Sequence, residues 1–167
     1  MKIIYRNVKE KDLSTIVDLE AEAFHMSKKM TEKDMIGRIK NYPDTFLVAE
    51  DQESDQVVGY TFGPAFSERY IEDEIYFKNH PNRDVDQYQM ILSLVVDEKY
   101  RHHKIASHLL KKMDEVARKQ GRKAISLTCL TKLIPFYELN GYVNEGKAED
   151  IPTPEDETTY NMVKMLK

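Results

Sequence analysis

Apolar residues recur along the chain with two different periods, and the alternation between them predicts the order of helices and strands. Spacings of three and four residues predict amphipathic helices. The stripes are Leu13, Ile16, Val17, Ala21 and Phe24; then Met35, Ile36 and Ile39, after a start at Thr31; and then Ile105, Leu109, Leu110, Met113, Val116 and Ala117. Gly121 follows the third stripe, where a glycine with positive φ commonly ends a helix. Two shorter helices are predicted, one begun by Ser67 and carrying Tyr70, Ile71 and Ile75, and one over 133–140.

Short runs rich in β-branched and aromatic residues predict the strands. The runs cover residues 2–8, 45–49, 57–62, 90–96, 124–130, 142–145 and 158–166. The run 90–96 (MILSLVV) is apolar almost throughout, which is typical of a strand buried on both faces. Because a helix separates it from the run 124–130, we expect these two strands to be parallel neighbours joined by a right-handed crossover. Residues 79–86 and an acidic, proline-containing stretch before residue 158 are predicted to be loops.

Composition narrows the class of protein. A length of 167 residues fits one domain, 1–167. With 25 basic and 29 acidic side chains the net charge is −4, which argues against general nucleic-acid binding. No apolar run is long enough for a membrane span or a signal peptide. The single cysteine, Cys129, has no internal disulfide partner, which favours a reducing cytoplasm.

The most informative segment is residues 94–107, where the buried strand runs through a polar loop into the longest helix. The first N–H groups of a helix have no partners within it and lie at the positive end of its dipole, so they bind phosphate readily. Residues 99–123 carry nine lysines and arginines against two acidic side chains. This pattern fits a phosphate-bearing ligand, and it also fits a solvated helix face covered by lysine stems.

Two motifs separate these interpretations. Residues 101–106 (RHHKIA) resemble the acetyl-CoA signature of the GNAT superfamily of N-acetyltransferases, Arg/Gln-x-x-Gly-x-Gly/Ala at the start of a helix. Residues 136–142 (FYELNGY) resemble the family's downstream Phe-Tyr-x-x-x-Gly-Phe/Tyr, and 20–24 (EAEAF) resemble its amino-terminal region. The resemblance covers essentially the whole chain. It implies an α/β, single-domain acyl-CoA N-acyltransferase fold, with a mixed, mostly antiparallel central sheet and helices on both faces.

Within the superfamily, the chain is most similar to the serotonin (arylalkylamine) N-acetyltransferase branch. Residues 57–63 (VVGYTFG) followed by Glu68 and Arg69 resemble that branch's third strand and the loop after it. Residues 127–129 (LTC) followed by 135–137 (PFY) resemble its fifth strand and the next helix.

The resemblance implies a set of site residues. Acetyl-CoA would be the cosubstrate, with its pantetheine arm along residues 94–96 and its pyrophosphate on the N–H groups of residues 102–107. A free N–H near Leu94 or Val95 would stabilise the developing oxyanion, and Tyr137 would protonate the leaving thiolate. The cofactor-binding residues are therefore Leu94, Val95, Val96, Arg101, His102, His103, Lys104, Ile105, Ala106 and Ser107.

Two departures from the family pattern stand out. Lys104 occupies the position of the loop glycine: a helical Lys104 would keep its N–H and add a cation, whereas a positive φ would cost about 1 kcal/mol or more. We expect the helical conformation. The arylalkylamine branch uses two histidines as its base, and the matching positions here are Met90 and Leu92, which bind no proton. Glu22, Glu68 and Glu72 lie in segments that border the family's acceptor site but are more typical of surface carboxylates, so no base is assigned.

The remaining chemically capable side chains favour structural roles. Cys129 lies in a strand with no histidine placed to activate it, which is typical of a buried, inert thiol. His102, His103 and His108 lack zinc-ligand spacing, so we expect no metal.

We therefore expect an enzyme that transfers an acetyl group directly from acetyl-CoA to a primary amine. A small, arylalkyl-type amine is the first expectation for the acceptor, and no nucleic acid or membrane partner is expected. The alternatives are a peptide or protein amino-group acetyltransferase and a catalytically weak acyl-CoA binding module. The resemblance also allows a homodimer.

Overall fold

The computed structural model describes residues 1–148 and 158–166, which form two compact units. The first unit comprises Met1–Gly63 and Ser93–Met113, and the second comprises Pro64–Leu92 and Asp114–Lys167. The elements in chain order are β1 (Ile3–Asn7), α1 (Leu13–Phe24), α2 (Lys28–Asn41), β2 (Phe46–Asp51), β3 (Gln56–Phe62), β4 (Ala65–Phe66), α3 (Glu74–Phe77), β5 (Tyr88–Met90), β6 (Ser93–Val96), α4 (Ile105–Lys119), β7 (Ala124–Leu130), α5 (Ile134–Leu139), β8 (Val143–Lys147) and β9 (Thr159–Met165). Most of the acidic loop predicted before residue 158 lies outside the described residues. No helix in the described ranges combines the length and apolar character needed to cross a bilayer.

The first unit holds a four-stranded antiparallel sheet in the order β1-β2-β3-β6. The predicted stripe of α1 is confirmed at Ile16, Val17 and Ala21, which are buried, but it was wrong at Phe24, which is 48% exposed. The core on the sheet is aromatic, with the rings of Phe46 and Phe62 stacked at 4.7 Å between centroids. This packing fixes α1 and α2 to the unit that also carries β6 and the start of α4.

Helix α2 begins earlier than the sequence predicted and buries a different face. Ser27 is the N-cap, and its hydroxyl accepts a hydrogen bond from the Met30 N–H at 3.2 Å. Thr31, predicted as the start, lies inside the helix and donates its hydroxyl to the Ser27 carbonyl at 2.8 Å. The buried side chains of α2 are Thr31, Met35 and Arg38, whereas Ile36 is half exposed. The predicted face was therefore wrong at Ile36, because the buried side runs through Thr31, Met35 and Arg38 at spacings of four and three residues.

The second unit holds a five-stranded sheet in the order β4-β5-β7-β9-β8. Strands β5 and β7 are parallel, with Tyr88 beside Ala124 and Met90 beside Ser126, as the strand–helix–strand order predicted. The other ladders are antiparallel, and β9 lies between β7 and β8 although it follows both in the chain.

The run 90–96 does not form one strand, because it divides between β5 and β6. Strand β5 ends at Met90 in the five-stranded sheet, and β6 begins at Ser93 in the four-stranded sheet. At the break, the Ile91 N–H still donates to the Ser126 carbonyl at 3.0 Å, whereas Ser93 already pairs with Phe62. The prediction of one continuous strand over 90–96 was therefore wrong.

The helix predicted from Ser67 is shorter than expected. Only Glu74–Phe77 are helical, and Ile71 and Ile75 are buried as the apolar pattern indicated. The segment before the helix is held by side chains instead: the Arg69 guanidinium donates two hydrogen bonds to Glu145 on β8, at 2.8 and 2.6 Å. This segment is therefore held by a contact between side chains and not by the helical hydrogen bonds that were predicted after Ser67.

Candidate functional site

Strand β6 is the edge strand of its sheet, and its register decides which backbone groups face outward. The Asp97 N–H donates to the Val58 carbonyl at 2.7 Å, and Val95 lies opposite Tyr60. Hydrogen-bonded pairs alternate in an antiparallel ladder, so the N–H of Val95 points toward β3. The N–H groups of Leu94 and Val96 point away from β3. Of the two amides suggested as oxyanion donors, that of Leu94 is on the outward edge.

A buried carboxylate, which the sequence argument did not consider, anchors the start of β6. Glu20 on α1 is 6% exposed, and its Oε1 accepts hydrogen bonds from the hydroxyls of Ser93 and Tyr60, both at 2.7 Å. Burial raises the pKa of Glu20, while the two hydrogen bonds and the Arg38 charge oppose that shift. The sequence signal was present, because position 20 falls in the same apolar stripe as Ile16 and Val17.

A short turn connects β6 to the loop before α4. Residues Glu98–Tyr100 form a 3₁₀ turn capped by the Asp97 carboxylate, which accepts the Lys99 N–H at 3.0 Å. The Tyr100 hydroxyl donates to Asp51 on β2 at 2.8 Å. This hydrogen bond therefore holds the turn against the sheet at the point where the loop begins.

The loop itself contains two non-glycine residues in the left-handed region. Arg101 has φ −66°, His102 has +69° and Lys104 has +61°. The expectation that Lys104 is helical was wrong: it precedes the first helical residue and adopts the conformation that a glycine at this position provides without strain. Successive N–H groups in a backbone of alternating handedness form a concavity that binds anions.

Among the described residues, the first N–H groups of α4 have no intramolecular partner. The Lys104 carbonyl accepts the first bond of the helix, from the His108 N–H at 3.0 Å, so Ile105, Ala106 and Ser107 have no carbonyl one turn before them. Within residues 1–148 and 158–166, no side-chain oxygen accepts from these three N–H groups. A lysine at the cap position has no acceptor to offer. The amides therefore remain available to a ligand.

Charged and aromatic side chains surround these amides. Arg101, His102, His103 and Lys104 are exposed, and the His108 ring lies 5.6 Å from that of Tyr5 on β1. A groove of about 580 Å³ lies beside the loop, lined by residues of α1, β6 and the turn. The lining residues are Leu19, Glu22, Ala23, His25, Val95, Val96, Asp97, Glu98, Lys99 and Arg101.

Gly59 on β3 permits the close approach of β6 and α4. A Cβ at this position would lie 3.0 Å from the Val95 carbonyl oxygen and 3.4 Å from side-chain carbons of Ile105 and Val96. A larger residue would displace the edge strand or the first turn of the helix. Gly59 therefore helps to place the outward amides of β6 near the amides of α4 within the first unit.

Tyr137, the proposed acid, lies on α5 in the second unit. Its side chain is 7% exposed and packs edge-on against the rings of Phe136 and Tyr142. Burial raises the pKa of its hydroxyl, and Cys129 and Tyr76 raise it further. The phenol therefore stays protonated throughout the physiological range. Among the described residues, the Tyr137 hydroxyl makes no hydrogen bond.

The surroundings of the other candidate residues favour structural or surface roles. Cys129 is 5% exposed, and burial raises its pKa to about 11, so it remains a thiol. Glu22, Glu68 and Glu72 are exposed. In the part of the chain that the structure describes, no three His, Cys, Asp or Glu side chains are grouped to hold a metal ion.

Comparison with known proteins supports the fold and the family. The sequence model of the acetyltransferase (GNAT) family matches residues 13–142. Ard1 from Thermoplasma volcanium is 17% identical, with a TM-score of 0.76 over 100% of this chain and 99% of that one. The NatC complex bound to Gag peptide and CoA is also 17% identical, with a TM-score of 0.75 over 100% of both chains. A GNAT-family acetyltransferase from Staphylococcus aureus Mu50 is 17% identical, with a TM-score of 0.72 over 99% of this chain and 100% of that one.

These structural likenesses confirm the expected α/β acyl-CoA N-acyltransferase fold. One curated relative, a Bacillus subtilis (strain 168) protein named probable hydrolase YhcX, is 25% identical over an alignment of 133 residues that covers 74% of this chain and 25% of YhcX. The chain thus spans about a quarter of the length of the curated relative it matches, so the name of that longer protein is not carried over.

Proposed function

The chain belongs to the GNAT family of acetyltransferases, and we propose that it transfers the acetyl group of acetyl-CoA directly to a primary amine. Membership implies acyl transfer to an amine acceptor. The proposal covers four points: the identity of the donor, the roles of the site residues, the class of amine, and the assignment of residues 1–167 to one domain.

The observation that carries the proposal is the set of unpartnered amides at the start of α4. Ile105, Ala106 and Ser107 point three N–H groups out of the helix, and the left-handed residues His102 and Lys104 precede them. A diphosphate fits such an anion site, because it carries negative charge and accepts several hydrogen bonds. Arg101 and Lys104 add cations that are free to reach its oxygens.

The outward edge of β6 would hold the rest of the donor. Leu94 and Val96 present N–H and C=O groups on the side away from β3, where an amide-rich arm can pair as an added strand does. With the arm paired there, the Leu94 N–H would donate to the acyl oxygen, where negative charge develops.

When bound, acetyl-CoA supplies the acetyl group in activated form, as a thioester. The Leu94 N–H donates to the acyl oxygen as the amine attacks. Tyr137 would give its proton to the departing sulfur as the C–S bond breaks, because a buried phenol is in the acid form at neutral pH. The proton that the amine loses on forming the C–N bond would pass to solvent and restore the phenol, since no base is assigned.

The proposed acceptor is a small amine of the arylalkyl type, following the sequence resemblance to that branch. A peptide or protein amino group is the second candidate, favoured by the match over the full length of both chains to the NatC structure bound to a peptide. A third is an acyl-CoA binding module of weak activity, favoured by the strained Lys104 in the glycine position. We include a homodimer in the proposal, to be checked by sedimentation.

Two measurements test the proposal. Acetyl-CoA should raise the melting temperature, and thiol release from acetyl-CoA should depend on an added amine in a panel of arylalkylamines, alkylamines and short peptides. Thermal stabilisation without thiol release for any amine would favour the binding module. The absence of both effects would refute the proposal.

A further inference from the structure

One peptide group of β6, which joins Ser93 to Leu94, carries the amide that would donate to the acyl oxygen. Its carbonyl belongs to Ser93 and its N–H to Leu94, and in a trans peptide the two point in opposite directions. The Leu94 N–H therefore faces outward only while the Ser93 carbonyl faces β3. Ser93 lies opposite Phe62, and the ladder between β3 and β6 ends at this pair. The orientation of the peptide group thus depends on more than strand pairing.

The Thr61 hydroxyl on β3 holds the carbonyl of that peptide group. It donates to the Ser93 carbonyl oxygen at 2.8 Å, and Thr61 is fully buried, which excludes water from the contact. Hydrogen bonds in a chain polarise one another, so a peptide group whose carbonyl accepts a bond donates more strongly through its N–H. The contact therefore fixes the direction of the Leu94 N–H and strengthens it as a donor.

Glu20 on α1 holds the same residue through its side chain. The Ser93 hydroxyl donates to Glu20 Oε1 at 2.7 Å, and the Tyr60 hydroxyl donates to that oxygen at the same distance. Phe62 lies opposite Ser93, and alternate residues of β3 share a face, so Tyr60 and Ser93 are on one face of the sheet. Thr61, the residue after Tyr60, is on the other face. Ser93 is therefore held from both faces of the sheet.

We propose that Glu20 and Thr61 are positioning residues for acetyl transfer, which keep the Leu94 N–H directed outward at the acyl oxygen. This inference rests on the proposed function and specifies how its oxyanion donor is held. Such a donor is effective when it is oriented before charge develops, because no reorganisation is then needed during the reaction. Both side chains act through Ser93, so their loss should slow the chemical step without weakening the binding of acetyl-CoA.

Thr61 is tested with a matched pair of buried threonines, using the amine that the wild type acetylates fastest. Thr61→Val removes the hydroxyl and should lower kcat at least about tenfold, while the KM for acetyl-CoA changes less than about twofold. Thr45→Val is the control, because Thr45 is also fully buried and its hydroxyl donates to a carbonyl outside β6, that of Gly63, at 2.7 Å. The control should keep the wild-type kcat. Thr61→Ser, which retains a hydroxyl, should recover most of the lost rate.

Glu20 is tested with Ser93→Ala and Tyr60→Phe. Each variant removes one of the two hydroxyls that donate to Glu20 Oε1, but only Ser93 belongs to the peptide group that carries the Leu94 N–H. Ser93→Ala should lower kcat at least about fivefold at nearly constant KM, and Tyr60→Phe should lower it less than about twofold. A merely structural role of Glu20 would affect both variants alike, because each leaves the buried carboxylate with one hydroxyl donor.

A measurement without turnover follows the oxyanion donor itself. A hydrogen bond to the acyl oxygen lowers the C=O stretching frequency of bound acetyl-CoA, which infrared difference spectra detect when the acyl carbon is isotopically labelled and no amine is present. We expect a lower frequency in the wild type and Thr45→Val than in Thr61→Val and Ser93→Ala. Because the readout concerns the bound donor alone, it is independent of the class of amine.

Equal kcat in Thr61→Val and Thr45→Val, or a stretching frequency that no variant alters, would overturn the inference and leave the proposed function intact. Equal losses of kcat in Ser93→Ala and Tyr60→Phe would remove Glu20 from it. Should Thr61→Val fail to fold, the kcat and the spectrum of Ser93→Ala decide in the same way. No stabilisation by acetyl-CoA and no thiol release with any amine would refute the proposed function, and this inference with it.

Discussion

Replacing Lys104 with glycine should stabilise the protein, although the change removes a side chain. A left-handed φ costs a residue with a Cβ about 1–2 kcal/mol, and Lys104 has φ +61°. Glycine avoids this cost but loses about 0.5–1 kcal/mol through its greater freedom in the unfolded chain. The net gain is about 0.5–1 kcal/mol. At about 2–4 °C per kcal/mol for a chain of this size, the melting temperature should rise by about 1–4 °C.

The matched control is Lys104→Ala, which removes the same charge but keeps the Cβ and therefore the strain. Thermal and urea unfolding of the wild type and both variants, followed by circular dichroism, separates backbone from charge. Lys104→Gly should be more stable than Lys104→Ala, with equal urea dependence. Equal stability of the two variants would refute the argument from backbone strain.

The same pair of variants tests the contact with phosphate. If the Lys104 ammonium reaches a phosphate of acetyl-CoA, both variants should bind it more weakly, by up to about fivefold as for an exposed ion pair. Lys104→Gly should bind acetyl-CoA more tightly than Lys104→Ala only if the strained loop resists closing on the ligand. Titration calorimetry at two salt concentrations measures both effects, and unchanged affinity in Lys104→Ala removes the proposed phosphate contact.

Three further variants probe the remaining parts of the site. Tyr137→Phe should lower kcat at least about 100-fold with little change in the KM for acetyl-CoA; unchanged turnover would rule out its role as the acid. Because burial raises the folded-state pKa of Glu20 above its unfolded value of about 4.3, its contribution to stability is present at low pH and is lost as the pH rises through the raised pKa. The free energy of unfolding of Glu20→Gln, measured in urea, should therefore rise relative to that of the wild type between about pH 4 and neutrality. A difference that does not change with pH would contradict the burial argument. Gly59→Ala should destabilise the protein by about 1–3 kcal/mol and weaken acetyl-CoA binding, because its Cβ meets the Val95 carbonyl at 3.0 Å; a stable variant with wild-type affinity would show that β6 has room to move.

Elements with a strong period were predictable from the sequence. The long stripe of α4 and the run of β7 gave bounds that the structure reproduces at Ile105 and at 124–130. Their hydrophobic pattern and their packing favour the same local conformation, so no tertiary contact has to override it.

The break between β5 and β6 could not be predicted, because the run 90–96 contains no glycine, proline or charge to mark it. Its position depends on which partner each residue finds: the Ser126 carbonyl for Ile91 and Phe62 for Ser93. Those partners are distant in the chain, so the choice is made by tertiary pairing.

The sequence predicted which loop carries the candidate site, but not the conformation of that loop. The motif at 101–106 predicted the loop, yet it gave no φ for Lys104, which lies between a turn bonded to β2 and the start of α4.

The place of β9 in its sheet has a consequence for biosynthesis. Strand β9 is inserted between β7 and β8, both of which leave the ribosome earlier. Until residues 159–165 emerge, β7 and β8 each have an unpaired edge to which β9 will later bind. Such edges can pair with other chains. Translation at about 5–20 residues per second makes this interval brief. A stalled or prematurely ended transcript, however, would leave the second unit without its interior strand, and that product should require chaperone capture or degradation rather than fold into a weaker enzyme.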